Sequence, residues 1–195
     1  MKRVSVILAS VFVAFGLNAQ TAKWGFDKSH SSVNFTVDHM VIAEVAGSFN
    51  KFDGTILSDK ADFTDMKIDF TIETASINTA NEGRDKHLTS ADFFDATAFP
   101  AITFKSTSVA KISDKAYKVT GDFTMRGVTK TISLDVTYGG TITDPYKNTR
   151  AGFKVTTVID RTAYGVNWSK TMDAGGLVVG NEVTLTARVE IVKAK

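Results

Sequence analysis

Three histidines, His30, His39 and His87, and one charged segment, Arg84-Asp85-Lys86-His87, are the residues of this 195-residue chain best suited to chemistry. Histidine could bind a metal or move a proton near neutrality, but a metal site needs at least three converging ligands. His30 and His39 flank one strand-like segment, and their spacing sets them on opposite faces if that strand is straight. Ser29-His30 and Asp38-His39 look like fragments of a nucleophile–base pair, yet no Gly-x-Ser-x-Gly turn exists to present a nucleophile. No glycine-rich phosphate loop follows a strand and opens a helix. Arg84, Asp85 and His87, with Asp92 and Asp95 behind them, suit an ionic fastening of a short helix better than a reaction centre. Catalysis through His30 and His39, metal-dependent or otherwise, stays as an alternative reading.

The elements that would position such residues are written mostly in period two. Val33, Phe35 and Val37 alternate with polar neighbours, as do Val45, Gly47 and Phe49, and then Met66, Ile68, Phe70 and Ile72. The same alternation recurs at Ile102 and Phe104, at Tyr117 to Phe123, at Ile132 to Tyr138, at Phe153 to Ile159, and at Val183 to Ile191. Eight strand candidates result, each with one apolar and one polar face. Strands of a parallel sheet, covered on both sides, would read as continuous apolar runs, so the sheet is antiparallel. Turns are expected at Asp53-Gly54, Arg126-Gly127, Gly139-Gly140, Asp144-Pro145 and Gly175-Gly176.

One helix is predicted, capped by Thr79 with Glu82 reaching back to it, and ended by Asp92 or Phe93. A second short turn is expected over residues 171–174. Pro100 forces Phe99 into an extended conformation at the entry to the next strand.

Composition narrows the class further. Lys2 and Arg3 precede an apolar run from Val4 to Leu17, and Ala19 offers a small residue for cleavage. That is the pattern of a secretory signal peptide over residues 1–19, too short for the ~20 residues of a spanning helix. A periplasmic or secreted single domain over residues 20–195 is expected. Its charges balance once two of the 23 basic residues leave with the leader, against 21 acidic ones. Nothing there suggests nucleic acid or an anionic membrane surface as partner. Without cysteine, the core must hold the domain together unaided.

Eight strands with one apolar face can hide it in two stacked sheets or in a closed barrel. The many phenylalanines could fill that interior or line a tunnel, and composition by itself favours a filled core. An outer-membrane barrel would turn its apolar face to lipid. The polar faces here are rich in Lys, Asp, Glu and Thr, and no aromatic girdle closes the chain at Lys193-Ala194-Lys195.

Ser29-His30-Ser31-Ser32-Val33-Asn34-Phe35, His39 and Val45-Ala46-Gly47-Ser48-Phe49 together resemble the opening of the YceI-like family. Arg84-Asp85-Lys86-His87-Leu88, with Asp92-Phe93-Phe94-Asp95 and Phe99-Pro100-Ala101-Ile102-Thr103-Phe104, is similar to that family's central signature. Gly121 to Lys130 resembles its hairpin, and Ile159 to Gly165 its late segment, with Ala163-Tyr164 where an acidic–aromatic pair is common. The resemblance implies an all-β, eight-stranded, lipocalin-like antiparallel barrel with one or two short helices, exported and not membrane-spanning when mature. It implies a long apolar lipid of polyisoprenoid or isoprenoid quinone type in the interior, for storage or transport, and no other cofactor or metal. Nonspecific sequestration of amphiphiles is the milder version of that function.

On that basis the candidate lining residues are Phe35, Val37 and Phe49 early in the chain, Ile68, Phe70, Phe104 and Phe123 in its middle, and Leu134, Val136, Phe153, Val155 and Leu185 late. Each suits plain core equally well. Trp168 is a candidate for the rim. Monomer and homodimer are both compatible with the sequence.

Overall fold

In the computed structural model, which describes residues 21–173 and 175–195, the chain forms one antiparallel sheet closed on itself. The strands are β1 (Lys23–Phe26), β2 (Ser32–His39), β3 (Ala43–Phe49), β4 (Phe52–Leu57), β5 (Lys67–Glu73), β6 (Ile77–Asn78), β7 (Ala101–Lys111), β8 (Ala116–Met125), β9 (Val128–Thr143), β10 (Thr149–Asp160) and β11 (Val179–Lys193). One helix, α1 (Glu82–Thr89), lies between β6 and β7.

The ring runs β1, β4, β5, β7, β8, β9, β10, β11 and back to β1, where Trp24 pairs with Lys193. β2 pairs with the other half of β11, and β3 with β2. Strands β1 and β2 are thus two halves of one bent stave, as are β3 and β4, and β5 and β6. Eight staves result, matching the eight alternating segments. What the alternation does not show is the breaks, at residues 27–31, at Asn50-Lys51 and at the 3₁₀ turn Thr74–Ser76.

Two expected turns are strand instead. Asp53-Gly54 lies inside β4, where Gly54 lets the neighbouring stave approach: a Cβ there would sit 2.4 Å from the Asp69 carbonyl. Gly139-Gly140 lies inside β9, at a β-bulge opposite Gly152 and Phe153, which bends the stave without ending it. Arg126-Gly127 is a true two-residue hairpin, both residues having positive φ. The 144–148 turn is held by Asp144, whose carboxylate accepts the N–H groups of Tyr146 and Asn148. Near residue 171 the chain makes a bridge, Thr171 to Leu177, and a turn in which Gly175 N–H donates to Met172 O.

β8 shows the sidedness plainly: Tyr117, Val119, Phe123 and Met125 are buried, while Lys118 and Asp122 are exposed. Apolar faces point inward and polar faces outward, the reverse of an outer-membrane barrel. No helix among the described residues is long and apolar enough to cross a membrane.

One end is plugged. Phe63, 1 % exposed, enters from the loop between β4 and β5 and packs against Trp24, Phe153 and Tyr138, with centroids 5.1, 5.2 and 5.8 Å away. The Tyr117 hydroxyl donates to Asp62 O at 2.7 Å, pinning the same loop.

Arg150 forms an ionic lock. Its guanidinium donates to Asp27 and Glu190 from Nη1 and to Asp144 from Nε, each at 2.6 Å. His30 Nδ1 lies 3.0 Å from Asp27. Hydrogen bonds from His30 and Arg150 hold the Asp27 carboxyl down to about 2, and Arg150 with the turn amides holds Asp144 well below the usual carboxylate range. Asp27 in turn raises the His30 imidazole above its ordinary value.

The signs fix a pH window. The depressed carboxylates contribute stability that is full above their unfolded values near 4 and fades as pH falls towards 2 and below. The His30 contribution is full below about 6.5 and is lost as pH rises through its raised folded value. We therefore expect Tm to peak between about pH 4 and 6.5. In Arg150→Met the acid limb, measured by thermal unfolding across pH, should flatten towards the midpoint of a free carboxylate.

Candidate functional site

The barrel interior is a cavity and not a filled core. About 200 Å³ of free volume lies inside it, bounded almost wholly by apolar side chains. The expectation of a filled core from the phenylalanine content is corrected here. Ring closure of eight staves sets a diameter that inward side chains do not entirely fill.

All twelve candidate lining residues stand on this wall: Phe35 and Val37 on β2, Phe49 on β3, Ile68 and Phe70 on β5, Phe104 on β7, Phe123 on β8, Leu134 and Val136 on β9, Phe153 and Val155 on β10, and Leu185 on β11. Several are also core by burial, Phe104, Phe123 and Val136 among them. Wall and core are one set of atoms in a barrel this narrow. Cross-strand register aligns them: Leu185 faces Phe35, and Phe70 faces Phe104, which faces Phe123.

Close glycines let the large rings lie flat against the sheet. A Cβ on Gly47 would stand 2.3 Å from the Phe35 ring, and one on Gly121 would stand 2.6 Å from the Phe104 ring.

Several wall residues carried no period-two signal. Leu88, Phe93 and Phe94 come from α1 and the turns after it, and Val166 from the loop after β10. Phe94 meets Phe49 edge-on at 6.2 Å. The Phe93-Phe94 pair was visible as an aromatic signal, but its direction depends on how the helix docks.

The helix differs in detail from the expectation. Its N-cap is Asn81, not Thr79, with Asn81 Oδ1 accepting Arg84 N–H at 2.9 Å, and it ends at Thr89 with Ser90 as the C-cap. Thr79 is buried and serves as an anchor. Its hydroxyl donates to Asp85 Oδ1 and accepts from Arg84 Nε, and its carbonyl accepts from Arg84 Nη2. Arg84 and Asp85 therefore converge on Thr79 and form no ion pair with each other. The fastening is by hydrogen bonds, joined by a His87–Asp92 side-chain contact at 2.9 Å, and Asp95 adds no ion pair among the described residues. Asp95 contributes through its backbone, at a positive φ, its carbonyl accepting Phe99 N–H.

Trp168 is off the cavity wall. It is half-buried and packs on this cap, against His87 and Phe93 at 5.1 Å each, so that His87 is an aromatic packing element between helix and loop.

The histidines do not converge. His30 sits in the break between β1 and β2, His39 at the end of β2 and His87 on α1, since the stave is bent and not straight. Among the described residues one trio, Asp27, His30 and Glu190, could bring three ligand atoms together. Its two carboxylates are already bonded to Arg150 Nη1, which occupies the space an ion would need.

Known proteins agree with this architecture. A UPF0312 protein of Staphylococcus aureus (strain USA300) is 39% identical over 166 residues, 85% of this chain and 94% of that protein. The YCEI protein of Campylobacter jejuni, crystallised with large solvent channels, superposes with a TM-score of 0.70 at 32% identity, covering 87% of this chain and 96% of the other. A polyisoprenoid binding domain from Saccharophagus degradans shares the fold at 16% identity, with a TM-score of 0.67 over 90% of this chain and all of that one. The family model described as the YceI-like domain matches residues 24–191, from the first stave into the last. The chain belongs to the YceI-like domain family.

Proposed function

We propose that this protein is an exported carrier that buries a long apolar lipid, of polyisoprenoid or isoprenoid quinone type, in its barrel for storage or transport. The observation that carries this is the cavity wall, apolar from β2 to β11 and continued by Leu88, Phe93 and Phe94 of the cap. An apolar chain leaving water for such a wall gains ~0.8 kcal/mol per buried methylene, so affinity needs few polar contacts. Family membership and the polyisoprenoid binding domain of like fold support the same ligand class. Binding, with no catalytic step, is the role this wall suits. Export rests on the basic and apolar leader over residues 1–19, cut after Ala19, which lies outside the described residues.

Native mass spectrometry on protein purified without detergent tests the proposal. A co-purifying adduct of lipid mass is expected, along with uptake of an added polyprenyl ligand. Repeated preparations that carry no adduct and take up no polyprenyl chain would overturn it. Equal uptake of fatty acids and prenyl lipids would reduce the function to sequestration of amphiphiles in general.

A further inference from the structure

Among the described residues Arg161 is the one charged side chain on the cavity wall, and it is 5 % exposed. It sits in the 3₁₀ turn Arg161–Tyr164 that ends β10. Its guanidinium donates to four main-chain carbonyls: Nε to Gly180 at 2.8 Å, Nη1 to Val166 at 2.6 Å and Trp168 at 2.9 Å, and Nη2 to Val179 at 3.1 Å. Those bonds staple the end of β10, the following loop and the start of β11.

Stapling uses four of the five guanidinium N–H donors, leaving one on Nη2, and it does not balance the charge. Carbonyl dipoles solvate a cation without neutralising it, and a buried unit charge is costly unless paired. The adjacent carboxylate of Asp160 is exposed and accepts from Thr162 N–H and O–H, at 2.9 and 2.6 Å. Among the described residues no carboxylate comes within ion-pair distance of Arg161, whereas Arg150, more exposed, has three. Burial lowers the Arg161 proton affinity, yet a guanidinium keeps its charge in proteins. An otherwise apolar cavity therefore has one positive pole, in surroundings that screen it poorly.

We propose that Arg161 marks a head-group site at the α1 end of the cavity, selecting apolar chains that carry an anionic head, a carboxylate or a phosphate. This inference rests on the carrier function proposed above and adds an orientation to it. The head lies by Arg161 and Val166, and the chain runs towards the Phe63 plug. An anionic head would supply the contacting counter-charge that Asp160, exposed and bonded to Thr162, does not, and the Nη2 N–H left free could donate to it in a charge-assisted bond, stronger than a neutral one.

The test uses two matched ligand series with the intact wild-type protein at mildly alkaline pH. One is hexadecanoate, hexadecanol and hexadecylamine; the other is geranylgeranyl phosphate, geranylgeraniol and geranylgeranylamine. Competition followed by native mass spectrometry should rank the anion roughly tenfold or more above the alcohol in each series, with the amine weakest. Preference confined to one series tells a fatty acid from a prenyl phosphate as the source of the head. Equal binding of all three heads, or preference for the amine, overturns the head-group site and leaves the carrier function standing. Failure of all six ligands to bind overturns both. Arg161→Gln removes a staple as well as a charge, so the wild-type ranking decides the matter. Where R161Q folds, its anion preference should collapse, and Arg161→Lys should keep part of it.

Discussion

Phe63→Ala should cost about 3–5 kcal/mol of stability, the range for deleting a fully buried aromatic ring. The ring contacts Trp24, Tyr138 and Phe153 together, so its loss leaves a void bounded by three large side chains that cannot all move in. The backbone adds to the effect. Phe63 has φ of 55°, a left-handed conformation that costs an L-residue ~1–2 kcal/mol, and burial of the ring is what offsets that strain. Without the ring the loop between β4 and β5 has reason to leave the barrel end, taking with it the bond from Tyr117 to Asp62. Urea unfolding would read the loss as a lower midpoint at little-changed slope. Phe63→Leu, which keeps most of the volume, should lose about 1–2 kcal/mol. A fall of less than about 1 kcal/mol for F63A would mean that the plug is not what closes this end.

The second large effect is on binding. Leu185→Trp should weaken lipid binding roughly a hundredfold while leaving a folded barrel. Leu185 sits midway along β11, facing Phe35 across the sheet and bordering the cavity. An indole there takes the place of three or four methylenes of ligand, worth ~3 kcal/mol, or roughly a hundredfold in Kd. Overpacking should cost about 1–3 kcal/mol of stability, partly relieved because the indole grows into free volume. Native mass spectrometry of L185W should show the wild-type adduct strongly reduced while its circular dichroism stays that of a β-barrel. An undiminished adduct on L185W would place the lipid elsewhere. The two substitutions separate the roles of the interior: Phe63 holds the barrel, and Leu185 shapes what it holds.

Much of this interior was legible in the residues. A strand buries alternate side chains, so period two alone assigns Phe104 and Phe123 to the inside and Lys105 and Asp122 to the outside. That rule placed all twelve lining candidates on the cavity wall, because facing inward is a local property of a pleated strand. It failed where local chemistry has two outcomes. Glycine pairs mark turns in general, yet Gly139-Gly140 sits in a bulge because β10 continues beside it. Thr79 has the residue type of an N-cap, but its hydroxyl is held by Arg84 and Asp85, and Asn81 takes the cap.

By itself, then, the sequence determined the antiparallel class, the number of staves, the face each turns inward and the family. These follow from side-chain alternation and motif order, which need no knowledge of what lies across the barrel. Only the tertiary structure decided that the interior is hollow, that Phe63 plugs one end, and that Arg161 faces the cavity without a carboxylate. It alone brought Arg150 to Asp27, 123 residues earlier in the chain. Those features depend on where the ring closes and how far each stave bends, and closure is set by contacts between residues remote in sequence.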